Sequence, residues 1–145
     1  MSQPDYDMLK LQHQLCFPLY AAARKVVQKY HPHLEAIGLT YTQYITMMVM
    51  WEHKQISVKA LGQQLYLDSG TVTPVLKSLE SKGYVRRKRS LADERSVLVQ
   101  LTEHGEALRE RAVEIPAKLA GCLDLDAQDA AQLYTLLYRL LDAEQ

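Results

Sequence analysis

The sequence predicts a mainly α-helical fold with one small β-hairpin, an α+β domain, and three observations predict it. Apolar residues recur at helical spacing along most of the 145 residues. Around Val97 the apolar period switches from helical to two. Capping residues stand directly ahead of most apolar runs.

The stretch from about Tyr6 to Tyr30 reads as a helix, with Leu15, Leu19, Val26 and Tyr30 near one face. Pro18 interrupts it, because proline has no amide donor and clashes with the preceding turn. The helix either kinks there or restarts with Pro18 in its first turn. Pro32 and Gly38 then mark a short connector. Thr40-Tyr41-Thr42-Gln43 has the form of a capping box, opening a largely apolar and buried helix through Trp51. Ser57 caps a helix from Val58 to about Leu65. After the turn at Tyr66-Leu67, Asp68 and Ser69 open another, whose stripe Val72, Val75, Leu76, Leu79 ends at Gly83. Val85 to Arg89 and Val97 to Leu101 form the hairpin, joined by a polar loop from Ser90 to Arg95. Thr102 caps a long helix toward Cys122, bent near Pro116. A last helix after Asp126 carries Leu133, Leu136, Leu137, Leu140 and Leu141 on one stripe.

Seventeen bases balance seventeen acids, yet the charge is unevenly distributed. Lys77, Lys82, Arg86, Arg87, Lys88, Arg89 and Arg95 cluster against only Glu80, Asp93 and Glu94. Asp124, Asp126, Asp129, Asp142 and Glu144 make the C-terminal segment acidic. A basic patch on a neutral chain implies one surface suited to phosphate. No apolar run approaches the roughly 20 residues of a membrane span, and the polar, acidic start is unlike a secretory signal. A reducing cytoplasmic location is therefore expected, with no disulfide framework for two cysteines.

Two short helices joined by a tight turn and followed by a basic hairpin make a winged helix-turn-helix. The second helix of such a pair enters the major groove with its N-terminal residues toward the bases. Those residues are Asp68, Ser69, Gly70, Thr71, Thr73 and Pro74, small or polar where the opposite stripe is apolar, with Lys77 a turn further on. Taken alone, this polar face fits plain solvent exposure. Coupled to Arg86, Arg87, Lys88 and Arg89, it implies double-stranded DNA. Arg95, near the loop tip, suits insertion into a narrow minor groove, with Asp93 orienting its guanidinium by a bidentate contact. The flanking helices carry more apolar surface than a compact head can cover, which implies a homodimer reading a palindromic operator. The expected plan is a single domain, 1–145, with a reading lobe at about 41–101 and dimerisation helices at 6–38 and 103–142.

Five strings carry a resemblance to a known family. They are Leu15-Cys16-Phe17 with Leu19-Tyr20-Ala21; Gly38-Leu39-Thr40-Tyr41 with Gln43-Tyr44; and Trp51-Glu52-His53. The others are Leu65-Tyr66-Leu67-Asp68-Ser69-Gly70-Thr71 with Thr73-Pro74, and Asp93-Glu94-Arg95 with Val97-Leu98-Val99. From about Lys10 to Pro116 the chain resembles the MarR family, and within it the OhrR branch of organic-hydroperoxide-sensing repressors. That resemblance implies that Cys16 is the peroxide-sensing thiol. It also implies that Tyr30 and Tyr41 hydrogen-bond the thiol across a dimer. Phenols and helix N-termini stabilise a thiolate, the nucleophile that a hydroperoxide converts to sulfenic acid. Phe17, Leu19 and Met50 are expected to favour an organic hydroperoxide. In two-cysteine members a distal cysteine resolves the sulfenate as an intersubunit disulfide, and Cys122 lies in the corresponding region. Proline at position 18 departs from the branch.

The nearest competing reading is a MarR-type repressor released by a non-covalent phenolic ligand. A metal sensor finds no compact ligand cluster, His31 and His33 being separated by a proline. An enzyme finds no Cys-x-x-Cys, phosphate loop or nucleophile elbow. No cofactor and no metal are expected.

Overall fold

A computed structural model describes residues 2, 4–93 and 95–143. Glu94, in the middle of the Asp-Glu-Arg string, lies outside the described residues, as does Glu144.

The N-terminal segment departs from the expected helix. Two 3-10 turns, Tyr6–Leu9 and Leu11–His13, precede α1 (Cys16–Glu35). Pro18 explains the late start: a helix running through it would leave the Gln14 carbonyl without an amide partner. Instead Pro18 is the third residue of α1, where no intrahelical donor is needed. Gln14 turns back, and its Nε2 donates to the carbonyls of Met8 and Lys10. Pro32 does not end the helix as expected. It lies inside α1, and the Gln28 carbonyl it deprives is on an exposed residue. Leu34, Ile37 and Leu39 are buried, so tertiary packing holds the last turn in spite of the proline. Gly38, at φ +72°, then closes the helix end.

The lobe expected to read DNA comprises α2 (Tyr41–His53), β1 (Gln55–Ser57), α3 (Val58–Leu65), α4 (Ser69–Ser81), β2 (Val85–Arg89) and β3 (Val97–Leu101). Each of its helices has the cap that its sequence suggests. Thr40 and Gln43 form both bonds of the capping box, Ser57 accepts from the Ala60 amide, and Asp68 accepts from the Thr71 amide. The turn between α3 and α4 closes on Gly62, where an added Cβ would lie 2.7 Å from the Leu67 carbonyl oxygen. The sheet is antiparallel in the order β1-β3-β2. Ile56 faces Val99, and Val85 to Arg89 pair with Leu101 to Val97. The third strand, β1, is a correction to the two-stranded hairpin. It is three residues long, too short to show a period, and it forms because β3 offers it an edge. Met47, Met50, Leu61, Val72, Leu76, Leu79, Val85 and Val99 make the core.

The expected long helix after Thr102 breaks into α5 (Glu103–Ala112) and α6 (Ile115–Ala120), with Pro116 in the first turn of α6. α7 (Ala127–Asp142) follows its cap Asp126. None of its sixteen residues is buried, and Leu133, Leu136, Leu140 and Leu141 are exposed on its apolar stripe. α1 buries only Leu34. The Tyr66 hydroxyl, in the turn before α4, donates to Asp142 at 2.8 Å, so the end of α7 reaches the reading lobe.

Leu76 is fully buried in the face of α4 that holds it against the lobe. Leu76→Ala is expected to cost about 2–5 kcal/mol, since a cavity is added to the lost transfer energy. Urea unfolding at one fixed protein concentration measures it.

Candidate functional site

The first candidate surface is the N-terminal end of α4. Ser69, Gly70, Thr71, Pro74 and Lys77 are exposed, while Thr73 is half-buried and donates its hydroxyl to the Ser69 carbonyl at 2.7 Å. Asp68 Oδ1 accepts from the Thr71 amide at 2.8 Å. Hydrogen bonds from the Thr71 side chain and amide hold the Asp68 carboxyl below the ordinary carboxylate range. Asp68 is therefore engaged in capping, and the residues after it present hydroxyls and a bare glycine backbone.

The hairpin divides its bases. Successive side chains of a strand point to opposite faces, so Arg86 and Lys88 share one face of β2 and Arg87 and Arg89 the other. Arg87 is tied inward. Its amide donates to Glu80 Oε2 at 2.9 Å, and its Nη2 and Nε donate to Oε1 at 3.1 and 3.3 Å. The Arg87 amide, and then its guanidinium, hold the Glu80 carboxyl below its ordinary value. This pair clamps the wing to α4. A cleft of about 400 Å³ opens between them, lined by Lys59, Thr73, Arg87, Arg95 and Ser96 among others. Exposed Lys59 and Arg95 at that cleft make it suited to an anion.

Asp93 does not orient the Arg95 guanidinium, contrary to expectation. Its Oδ1 accepts from the Arg95 amide at 3.0 Å and its Oδ2 from the Ser96 hydroxyl at 3.2 Å. A backbone amide and a hydroxyl of the same turn lie closer to an aspartate than a long guanidinium does, and they win. Asp93 thus shapes the loop, and the Arg95 side chain is exposed.

The second candidate site is built around sulfur. Cys16 is the exposed first residue of α1, and the preceding residue, Leu15, makes no side-chain cap. The helix N-terminus is thus left with uncapped amides beside the thiol. Phe17 and Leu19 are exposed near it, whereas Met50, expected beside the thiol, is fully buried in the lobe core. Tyr30 and Tyr41 come together from α1 and α2, ring centroids 5.0 Å apart, with Tyr44 5.8 Å from Tyr30. Burial, and then the neighbouring Tyr30, push the Tyr41 phenol up. Tyr44 completes a tyrosine cluster that sequence reasoning missed, because its apolar neighbours marked it as core.

Cys16 and Tyr30 stand fourteen positions apart on one continuous helix. At 1.5 Å per residue, that is about 21 Å along the axis. No rotamer bridges that gap, so a chain does not bring its own Cys16 to its own tyrosines. Cys122 lies at the tyrosine end instead. Its carbonyl accepts from Lys29 Nζ at 2.9 Å, and its Sγ donates to the Lys118 carbonyl at 3.3 Å. Even a fully extended Lys29 leaning toward Cys16 leaves the two cysteine Cα atoms more than about 7 Å apart, beyond disulfide reach.

Known proteins share this sequence and shape. Residues 28–111 match the family model described as transcriptional regulator SarA/Rot. The chain is 48% identical over 137 residues to the organic hydroperoxide resistance transcriptional regulator of Bacillus subtilis, spanning 94% of this chain and 93% of that protein. Reduced AbfR bound to DNA, a Staphylococcus epidermidis protein, superposes with a TM-score of 0.77 at 31% identity over 92% of each chain. Disulfide-formed AbfR superposes less closely, with a TM-score of 0.61 at 32% identity over 92% of this chain and 89% of that one.

A carboxylate with a depressed folded value stabilises above its unfolded value and loses that contribution as pH falls through the folded one. Acid should therefore loosen the Glu80–Arg87 clamp as pH drops below the ordinary 4.5. Glu80→Gln is expected to lower Tm at neutral pH and to flatten its decline in acid. Thermal scans between neutrality and acid test this, and a parental slope in the variant contradicts it.

Proposed function

The chain belongs to the OhrR-type branch of the winged-helix MarR/SarA transcriptional regulators, and from that premise we propose that it is a dimeric DNA-binding repressor released by oxidation of Cys16. The observation that carries the reading is the separation, along α1, of the sulfur from the phenols that would serve it. A two-fold partner laying its own α1 antiparallel would bring the second Cys16 to the first chain's tyrosine end, and the reverse. The uncovered apolar stripes of α1 and α7 are the surfaces such a pairing would bury.

In this reading, Ser69, Gly70, Thr71, Thr73 and Pro74 enter a major groove, and Lys77, Arg86, Lys88 and Arg89 approach phosphates. Arg95 reaches the minor groove from a loop shaped by Asp93, and Arg87 and Asp68 hold wing and helix in place. Two such heads would meet half-sites about one helical turn apart.

The sensing step is a displacement. The Cys16 thiolate attacks the outer peroxide oxygen, the O–O bond breaks, and an alkoxide leaves and takes a proton from solvent to become the alcohol, with sulfenic acid on the protein. The Cys122 thiol of the other subunit then attacks that sulfur, forming the disulfide and releasing water. The likeness to AbfR, solved in reduced DNA-bound and in disulfide forms, supports a redox switch. Phe17 and Leu19 give the thiol apolar surroundings that would favour an organic peroxide.

A mobility shift tests the proposal, using a duplex enriched from a random pool by the reduced protein. The parent should release it after cumene hydroperoxide, at lower concentration than hydrogen peroxide requires, and rebind after reduction. Cys16→Ser should bind and stay bound. Release of the serine variant by peroxide contradicts the sensing role, and equal potency of the two peroxides contradicts the organic preference.

A further inference from the structure

Gln43 closes the capping box of α2, yet its side chain does more than capping requires. It is one of two buried polar residues among those described, 7% exposed, so its amide must find partners. Capping uses only Oε1, which accepts from the Thr40 amide at 3.0 Å. The Nε2 leaves the helix and donates to Ser78 Oγ of α4 at 2.8 Å. Lys82, which caps the end of α4, donates from Nζ to the same Oε1 at 3.0 Å and to the Gly38 carbonyl at 2.6 Å. Among the described residues, the side-chain hydrogen bonds between α2 and α4 with its cap all pass through Gln43.

The placement matters because of what shares that turn. Tyr41 is the first residue of α2 and Gln43 the third, and the Tyr41 ring packs on Tyr30 and Tyr44. We propose that Gln43 is the positioning residue that couples the sulfur site to the reading helix, passing a displacement of the Tyr41 turn to α4 through its bond to Ser78. This inference rests on the sensing role proposed for Cys16. Apolar contacts between α2 and α4 let the helices slide, because dispersion is non-directional. A buried amide bond resists sliding, since breaking it leaves a desolvated donor without a partner. Ser78 and Lys82 are one turn apart on the same side of α4, so Gln43 grips that end at two points.

Ser78→Ala removes the amide's hold on α4 and leaves the capping box and Lys82 intact. The readouts are the affinity ratio between reduced and peroxide-treated protein for the selected duplex, and the rate of Cys16 sulfenate formation. Reduced affinity should stay within about threefold of the parent and the oxidation rate should not change, while the ratio falls about fivefold or more. Ser78→Thr, which keeps the hydroxyl, should retain the parental ratio. A purely structural Ser78 would lower Tm and weaken both forms together; an unchanged ratio in Ser78→Ala overturns the proposal. Failure of the unsubstituted protein to release DNA overturns the sensing role itself and this coupling with it.

Discussion

The constraint on which the rest of the molecule depends is the length of α1. An unbroken twenty-residue helix is a rigid spacer, and it holds Cys16 at one end and Tyr30 near the other. A single chain therefore keeps its own Cys16 apart from its own Tyr30. Lys29 adds to this, because its bond to the Cys122 carbonyl places the second cysteine at the tyrosine end. Proline 18 defines where the spacer begins, and Leu34, Ile37 and Leu39 anchor where it ends. Shortening the helix, or breaking it at Pro32, would alter the separation on which the proposed two-chain site rests.

The reading lobe is rigid for independent reasons. Its helices are capped by Thr40, Ser57 and Asp68, its turn closes on Gly62, and one core joins helices and sheet. The Glu80–Arg87 clamp fixes the wing relative to α4, which gives the helix tip and the wing one common frame. The Tyr66–Asp142 bond links that frame to α7, and the Gln43–Ser78 bond ties α2 to α4 within it.

Much of this was legible because the signals are local. The capping box at Thr40, the cap at Asp68 and the stripe from Val72 to Leu79 depend on residues within a turn or two. Pro18 allowed two outcomes, and the unpaired Gln14 carbonyl explains which one occurs. Pro32 misled, since its local preference is overridden by the burial of Leu34 after it. β1 was invisible, because three residues show no period and depend on a partner forty residues away. Asp93 differs from its expected role because one amide and one hydroxyl of its own turn lie nearer than a guanidinium. The unequal roles of Arg86 and Arg87 follow from the same period of two that identifies β3. Met50 looked like a neighbour of the thiol only in composition; the core claims it.

The claim that two chains share each sulfur site is tested most directly by mixing variants. Chains with Cys16→Ser and differently sized chains with Cys122→Ser are co-refolded, treated with cumene hydroperoxide and run on a non-reducing gel. Each mixed pair retains a single Cys16 on one chain and a single Cys122 on the other. A covalent species of the hybrid size, absent from either variant alone and lost on reduction, is the result expected. Absence of the hybrid band from a mixture shown to contain mixed dimers contradicts the account.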